Sequence, residues 1–132
     1  MNAFLVDLEN KPGELARITE AIATAGVNIT AASGSTCGSG GNVAITTADD
    51  AATRMALKNA GASFREIESV ETPIRNEPGS LARACRRLAD AGVNVEALFA
   101  TGMRGNDVSM AFVTNNAAKA REVLASVGTA TR

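Results

Sequence analysis

Apolar and polar residues alternate from Ala3 to Leu8, with Phe4, Val6 and Leu8 on one face, the period-two signature of a half-buried strand. The period then changes. Leu15, Ile18 and Ile22 fall at i, i+3 and i+7, which predicts an amphipathic helix. Pro12 is expected at its first position, where a missing N–H is no loss, and Gly26 supplies the left-handed residue that ends it. Val27–Ala32 predicts a second strand, the glycine-rich run Gly34–Gly41 a mobile loop, and Val43, Ile45 and Thr47 a third strand. Asp49 or Asp50 is placed to cap a second helix running to Ala60 and closed by Gly61, and Ser63–Ser69 follows as a fourth strand. Strand, helix, strand, strand, helix, strand is the split βαβ, ferredoxin-like order of an α+β domain.

The pattern then repeats. Residues 10–29, NKPGELARITEAIATAGVNI, set against residues 76–95, NEPGSLARACRRLADAGVNV, agree at eleven of twenty positions at a constant offset of 66. Alanine richness produces scattered matches, but not Asn-x-Pro-Gly-x-Leu-Ala-Arg and Ala-Gly-Val-Asn in register, so the chain is a duplication. The second copy predicts strands near Val70–Arg75, Val93–Thr101 and Asp107–Thr114, with helices at Pro78–Ala91 and Asn116–Val127. The halves divide as 1–69 and 70–132. Only Thr129–Arg132 remain where the second copy needs its last strand, so that repeat is expected to lack most of it. Its first strand, Val70–Arg75, is then expected to be an exposed or partner-completed edge, a position that tolerates Pro73.

Composition narrows the function. Hydrophobic residues make up 45% and charged residues 20%, the balance of a soluble globular chain. Thirteen basic against fourteen acidic residues leave a net charge of −1, and Phe4, Phe64, Phe99 and Phe112 are the whole aromatic complement. Neither a basic face nor a set of stacking rings is therefore on offer to a nucleic acid. The chain contains no histidine, which removes His-ligated zinc, Ser-His or Cys-His nucleophile pairs and an imidazole base. Cys37 and Cys85 make neither a metal cluster nor a disulfide framework and point to a reducing, cytoplasmic setting. The first residues do not form a signal peptide, and no apolar run is long enough to cross a membrane. No enzyme, metal or cofactor is expected.

The motif Asn10-Lys11-Pro12-Gly13-Glu14-Leu15, closing on Gly26-Val27-Asn28-Ile29, resembles the opening of an ACT domain, the regulatory module of many amino-acid metabolic enzymes. Asn76-Glu77-Pro78-Gly79-Ser80-Leu81 with Gly92-Val93-Asn94-Val95 is a second copy. The resemblance implies antiparallel sheets side by side with helices on one face, and an amino-acid ligand between units. It places Asn10, Pro12, Gly13 and Leu15 opposite Asn94, and Asn76, Pro78, Gly79 and Leu81 opposite Asn28; Lys11 and Ser80, in the same two turns, are further candidate ligand residues. Elementary chemistry suits such a site. A helix N-terminus attracts a carboxylate, glycine lets a ligand approach the backbone, and asparagine offers both donor and acceptor.

Each feature also has a purely structural reading. Asn10 and Asn76 could serve the turn before the helix, and Asn28 and Asn94 the turn after it. Gly13 and Gly79 favour ligand approach, because glycine in a helix's first turn is otherwise costly. Leu15, Leu81, Ile22 and Leu88 are expected in the core. Glu14 at the first helix entrance would repel a carboxylate that Ser80 could receive, so the second loop is expected to be the better receptor. The glycine run lacks a phosphate-loop ending, and Arg83, Arg86 and Arg87 read as a solvated face or a protein contact. The chain is therefore expected to be a non-catalytic, amino-acid-binding regulator acting in trans, as a homodimer, on a metabolic enzyme or regulator, or both. The alternative is a ligand-free assembly module.

Overall fold

The first strand, β1 (Asn2–Glu9), buries Ala3 to Val6, and the helix after it, α1 (Glu14–Thr24), buries Ile18 and Ile22 against that strand's apolar side. The computed structural model describes the backbone of residues 1–130 and the side chains of residues 1–125. The chain divides into two units, Met1–Ile67 and Glu68–Arg132. After α1 the first unit continues through β2 (Ile29–Cys37), β3 (Gly40–Thr47), α2 (Asp50–Asn59) and the first residues of β4 (Phe64–Arg75). Its strands lie in the order β2-β3-β1-β4, the ferredoxin-like arrangement. Phe4, Val6, Ile18, Ile22, Val43, Ile45 and Leu57 form its core.

The second unit takes over β4 without a break and adds α3 (Ser80–Asp90), β5 (Val95–Arg104), β6 (Asp107–Thr114) and α4 (Ala117–Ala130). Its order is β4-β6-β5, and Val70, Ile74, Ala84, Leu88, Phe112, Ala120 and Leu124 fill its core. α4 continues to Ala130, so among the described residues no strand follows it. Within this unit the described pairing of Val70–Arg75 is with β6, Pro73 standing opposite Ser109. Among the described residues no strand of the unit lies on the other side, in line with the expected edge.

Four local expectations give way. The two strands expected at Ser63–Ser69 and Val70–Arg75 are one, because no turn-forming residue separates them. The run Gly34–Gly41 is not a loop: β2 pairs with β3 as far as Cys37↔Gly40, leaving Gly38-Ser39 as the turn. Gly41 makes that close pairing possible, since a Cβ there would strike the Ser35 carbonyl oxygen. Pro12 and Pro78 lie before their helices rather than in them, which start at Glu14 and Ser80. Leu15 and Leu81 are not core. They are 52% and 39% exposed, while Ile22 and Leu88 are buried. One helical turn earlier than Ile18 or Ala84, they face open hollows between helix and sheet. Asp49 is the cap of α2, its Oδ1 accepting from Ala52 N–H at 3.0 Å.

Candidate functional site

Between β1 and α1 the chain reverses through Lys11-Pro12-Gly13-Glu14, closed by the Glu14 N–H on the Lys11 carbonyl at 3.5 Å. Gly13 has φ 92° and ψ −15°, the third position of a type II turn, with proline before it in its favoured place. Glu77-Pro78-Gly79-Ser80 repeats this, with Gly79 at φ 90° and ψ −14° and a Ser80 N–H to Glu77 carbonyl bond of 3.3 Å. Both glycines therefore stand outside the helices, and their backbone conformation by itself requires them. The first-turn argument for ligand approach does not apply to them.

Asn10 ties this turn to the β2–β3 hairpin. Its N–H donates to the Ser39 carbonyl at 2.8 Å and its Nδ2 to the Gly38 carbonyl at 3.0 Å. Asn76 keeps the first bond, to the Asn106 carbonyl at 2.8 Å, but among the described residues its amide has no counterpart to the second. Glu14 folds back over the helix entrance, accepting from the Glu9 N–H at 3.3 Å and from Arg17 Nε at 3.3 Å. The Arg17 guanidinium, helped by the Glu9 N–H, holds the Glu14 carboxyl below the usual carboxylate range. Lys11 pairs with Glu9 at 2.9 Å, and that carboxylate raises the lysine.

Beneath these charges lies a groove of about 610 Å³ within the first unit. Leu8, Val43 and Ile45 supply apolar surface from the sheet, Leu15 and Thr19 from α1, and Ala32 and Gly34 from β2. Glu9, Asn10, Lys11 and Glu14 stand at the turn end. The second unit has a corresponding hollow of about 170 Å³, lined by Ile74, Arg75, Asn76, Glu77, Leu81, Val108 and Met110.

Asn10, Lys11 and Leu15 thus meet in one groove, and Asn76 and Leu81 in the other. Pro12, Gly13, Pro78 and Gly79 line neither and shape the turns instead. Ser80, expected to receive a carboxylate, is fully buried, and its Oγ accepts from Arg83 Nη2 at 3.3 Å. Asn28 and Asn94 precede Ile29 and Val95, at the opposite end of their own unit's sheet from the turn. Their carbonyls accept from Ala48 and Asn115 N–H at 3.0 and 3.2 Å. Thr19, Ala32, Gly34 and Asn42 line the first groove without having been singled out from sequence. Reading Gly34–Gly41 as a loop hid the strand residues. The one available signal was a comparison of the two copies, position by position, along the strands.

Residues 1–128 match the ACT domain pair family. The chain belongs to that family. No curated protein matches it. Among solved structures, protein BT0572 from Bacteroides thetaiotaomicron is 26% identical with a TM-score of 0.77, over 95% of this chain and 86% of that one. The ligand-free regulatory subunit of aspartate kinase from Thermus thermophilus is 20% identical with a TM-score of 0.69, over 99% and 91% of the two chains. The corresponding subunit from Thermus flavus is 17% identical, at 0.66, over 96% and 90%. At these identities the Thermus proteins share the fold. In this ACT domain pair both copies of the strand-to-helix turn keep the same backbone, while the hollows beside them differ more than threefold in volume.

Proposed function

We propose that this ACT domain pair binds a free α-amino acid with an aliphatic side chain in the groove of its first unit. On this reading it acts without catalysis, as a regulatory module, on a separate partner protein. The observation that carries the reading is an apolar groove whose turn end holds carboxylates and an ammonium side by side. A zwitterion laid there meets both signs. Its ammonium faces Glu9 and its carboxylate faces Lys11, so the 2.9 Å pair between those residues is exchanged for two pairs of the same kind. Leu8, Leu15, Val43 and Ile45 then receive the side chain. The resemblance in fold to regulatory subunits of aspartate kinase supports a regulatory role. Cys37 and Cys85, both free and exposed, suit a reducing, cytoplasmic compartment.

A thermal-shift screen against the twenty amino acids, followed by calorimetry, tests this. Ligand at a hundredfold over Kd adds about 2.7 kcal/mol of apparent stability. Selective shifts with leucine, isoleucine or valine, lost in Lys11→Ala, are the expected outcome. Silence from every amino acid at millimolar concentration rejects the reading. A second reading, an assembly module, draws on the 52% exposure of Leu15 beside β2, an edge strand of its unit. It predicts a homodimer by sedimentation that Leu15→Glu dissociates, with no ligand required.

A further inference from the structure

We infer that the second unit's groove is filled by the protein's own side chains, so that each chain carries one ligand site, in the first unit. This rests on the proposed ligand reading and adds where, and how many times, the ligand binds.

The duplication serves as an internal control, because strand register fixes which residues correspond. Across the first unit Phe4 pairs with Ile45, and Ile45 with Ala32. The equivalent row of the second unit is Val70, Phe112 and Leu98. The aromatic ring has moved from the first strand of the repeat to the third, one strand nearer the groove, and the residue beyond it has grown from alanine to leucine. One row further on, Gly34 pairs with Val43, whereas Ala100 pairs with Met110. Gly41 corresponds to Val108 in the next row. Thr101 is the single inserted residue, at the bulge between Ala100 and Gly102, and it leaves these pairings aligned.

Apart from Val70 in the place of Phe4, each of these changes adds volume. Leu98 and Met110 are packed against the second core, and Phe112 lies within it. The hollow shrinks accordingly from about 610 to about 170 Å³. The residues that still line the smaller one, from Ile74 to Met110, correspond one for one to lining residues of the larger. The turn is also altered, since Arg75 and Glu77 reverse the charges of Glu9 and Lys11. An aliphatic group that enters the first groove finds its place already taken by Leu98 and Met110 in the second. The second unit thereby holds permanently the packing that the first acquires with ligand.

The test uses the whole chain and two probes, L-leucine and isobutanol, the latter carrying the same branched group without a zwitterion. Calorimetry gives the stoichiometry, and methyl NMR reports each groove. One L-leucine per chain is expected, with either probe shifting Val43 and Ile45 but not Val108 and Met110. Ala32→Leu, a change at an exposed position that copies Leu98, weakens binding by at least about tenfold. Leu98→Ala with Met110→Val opens a second site and raises the stoichiometry to two. Should that double variant fail to fold, the wild type and Ala32→Leu still decide. Two ligands per wild-type chain, equal shifts in both grooves, or undiminished binding by Ala32→Leu overturns the inference. If isobutanol marks only the first groove and L-leucine does not bind, the amino-acid reading falls and the self-filled groove stands. If neither probe shifts Val43 and Ile45, both fall.

Discussion

Gly13 and Gly79 show how one residue's backbone decides an interpretation. At φ 92° and 90°, each holds a conformation that costs an L side chain free energy whether or not a ligand is near. Gly13→Ala and Gly79→Ala are each expected to destabilise the fold by about 1 kcal/mol in denaturant titrations. The costs should be similar. A Cβ at Gly13 meets open space, and one at Gly79 meets the movable end of Arg83 at 3.1 Å. A markedly larger loss at Gly79 would mean that Arg83 is held in place. Leu15 and Leu81 make the complementary point. Helical periodicity groups them with Ile18 and Ala84, but it does not say that a hollow lies beneath them.

Between elements, the clearest tie in the first unit is polar. Glu66 on β4 accepts from Arg54 Nε and Nη2 on α2, at 2.6 and 2.7 Å, and from Asn2 Nδ2 at the start of β1 at 2.6 Å. These donors, Arg54 foremost, pull the Glu66 carboxyl below the usual carboxylate range despite its partial burial. Because the folded-state value lies below the unfolded one, the cluster's stabilisation is complete above about pH 4.3 and disappears as acid protonates Glu66 in the fold. Glu66→Gln is expected to cost about 1 kcal/mol at neutral pH, since Arg54 is partly solvated, and almost nothing in strong acid. Chemical denaturation at several pH values measures the difference. A penalty independent of pH would assign the loss to packing. The β2–β3 hairpin is the element that sequence periodicity misjudged. Six of its residues, Gly34 to Ser39, show no apolar alternation, and the strand there is held by main-chain pairing across a close approach at Gly41.

For the whole molecule, the described cores are two, and they share no residue. Ile22→Ala and Leu88→Ala are each expected to cost about 2–5 kcal/mol, as deletions from filled apolar sites do. Hydrogen exchange should show the larger loss of protection in residues 3–67 for Ile22→Ala and in residues 70–124 for Leu88→Ala. Loss spread evenly over both units in either variant would show that they unfold as one.

The duplication, the order of elements in each copy, the core positions Ile18, Ile22 and Leu88, and the want of a strand after α4 among the described residues were all legible in the sequence. Each is set by local periodicity or by the plain repetition of a motif, and neither needs a partner far along the chain. So were the positions of the two Asn-x-Pro-Gly turns between strand and helix. What tertiary structure decided was which residues border a cavity and how large that cavity is. Ala32 and Val43 are distant in sequence from Leu15, and only strand register brings them beneath it. Leu98, Met110 and Phe112 read as ordinary apolar residues of two strands until that register makes them the counterparts of Ala32, Val43 and Ile45 in the first unit. Volume is a property of side chains converging from separate elements. No single segment carries it, and it made the first copy's groove the larger although the turn sequences alone favoured the second.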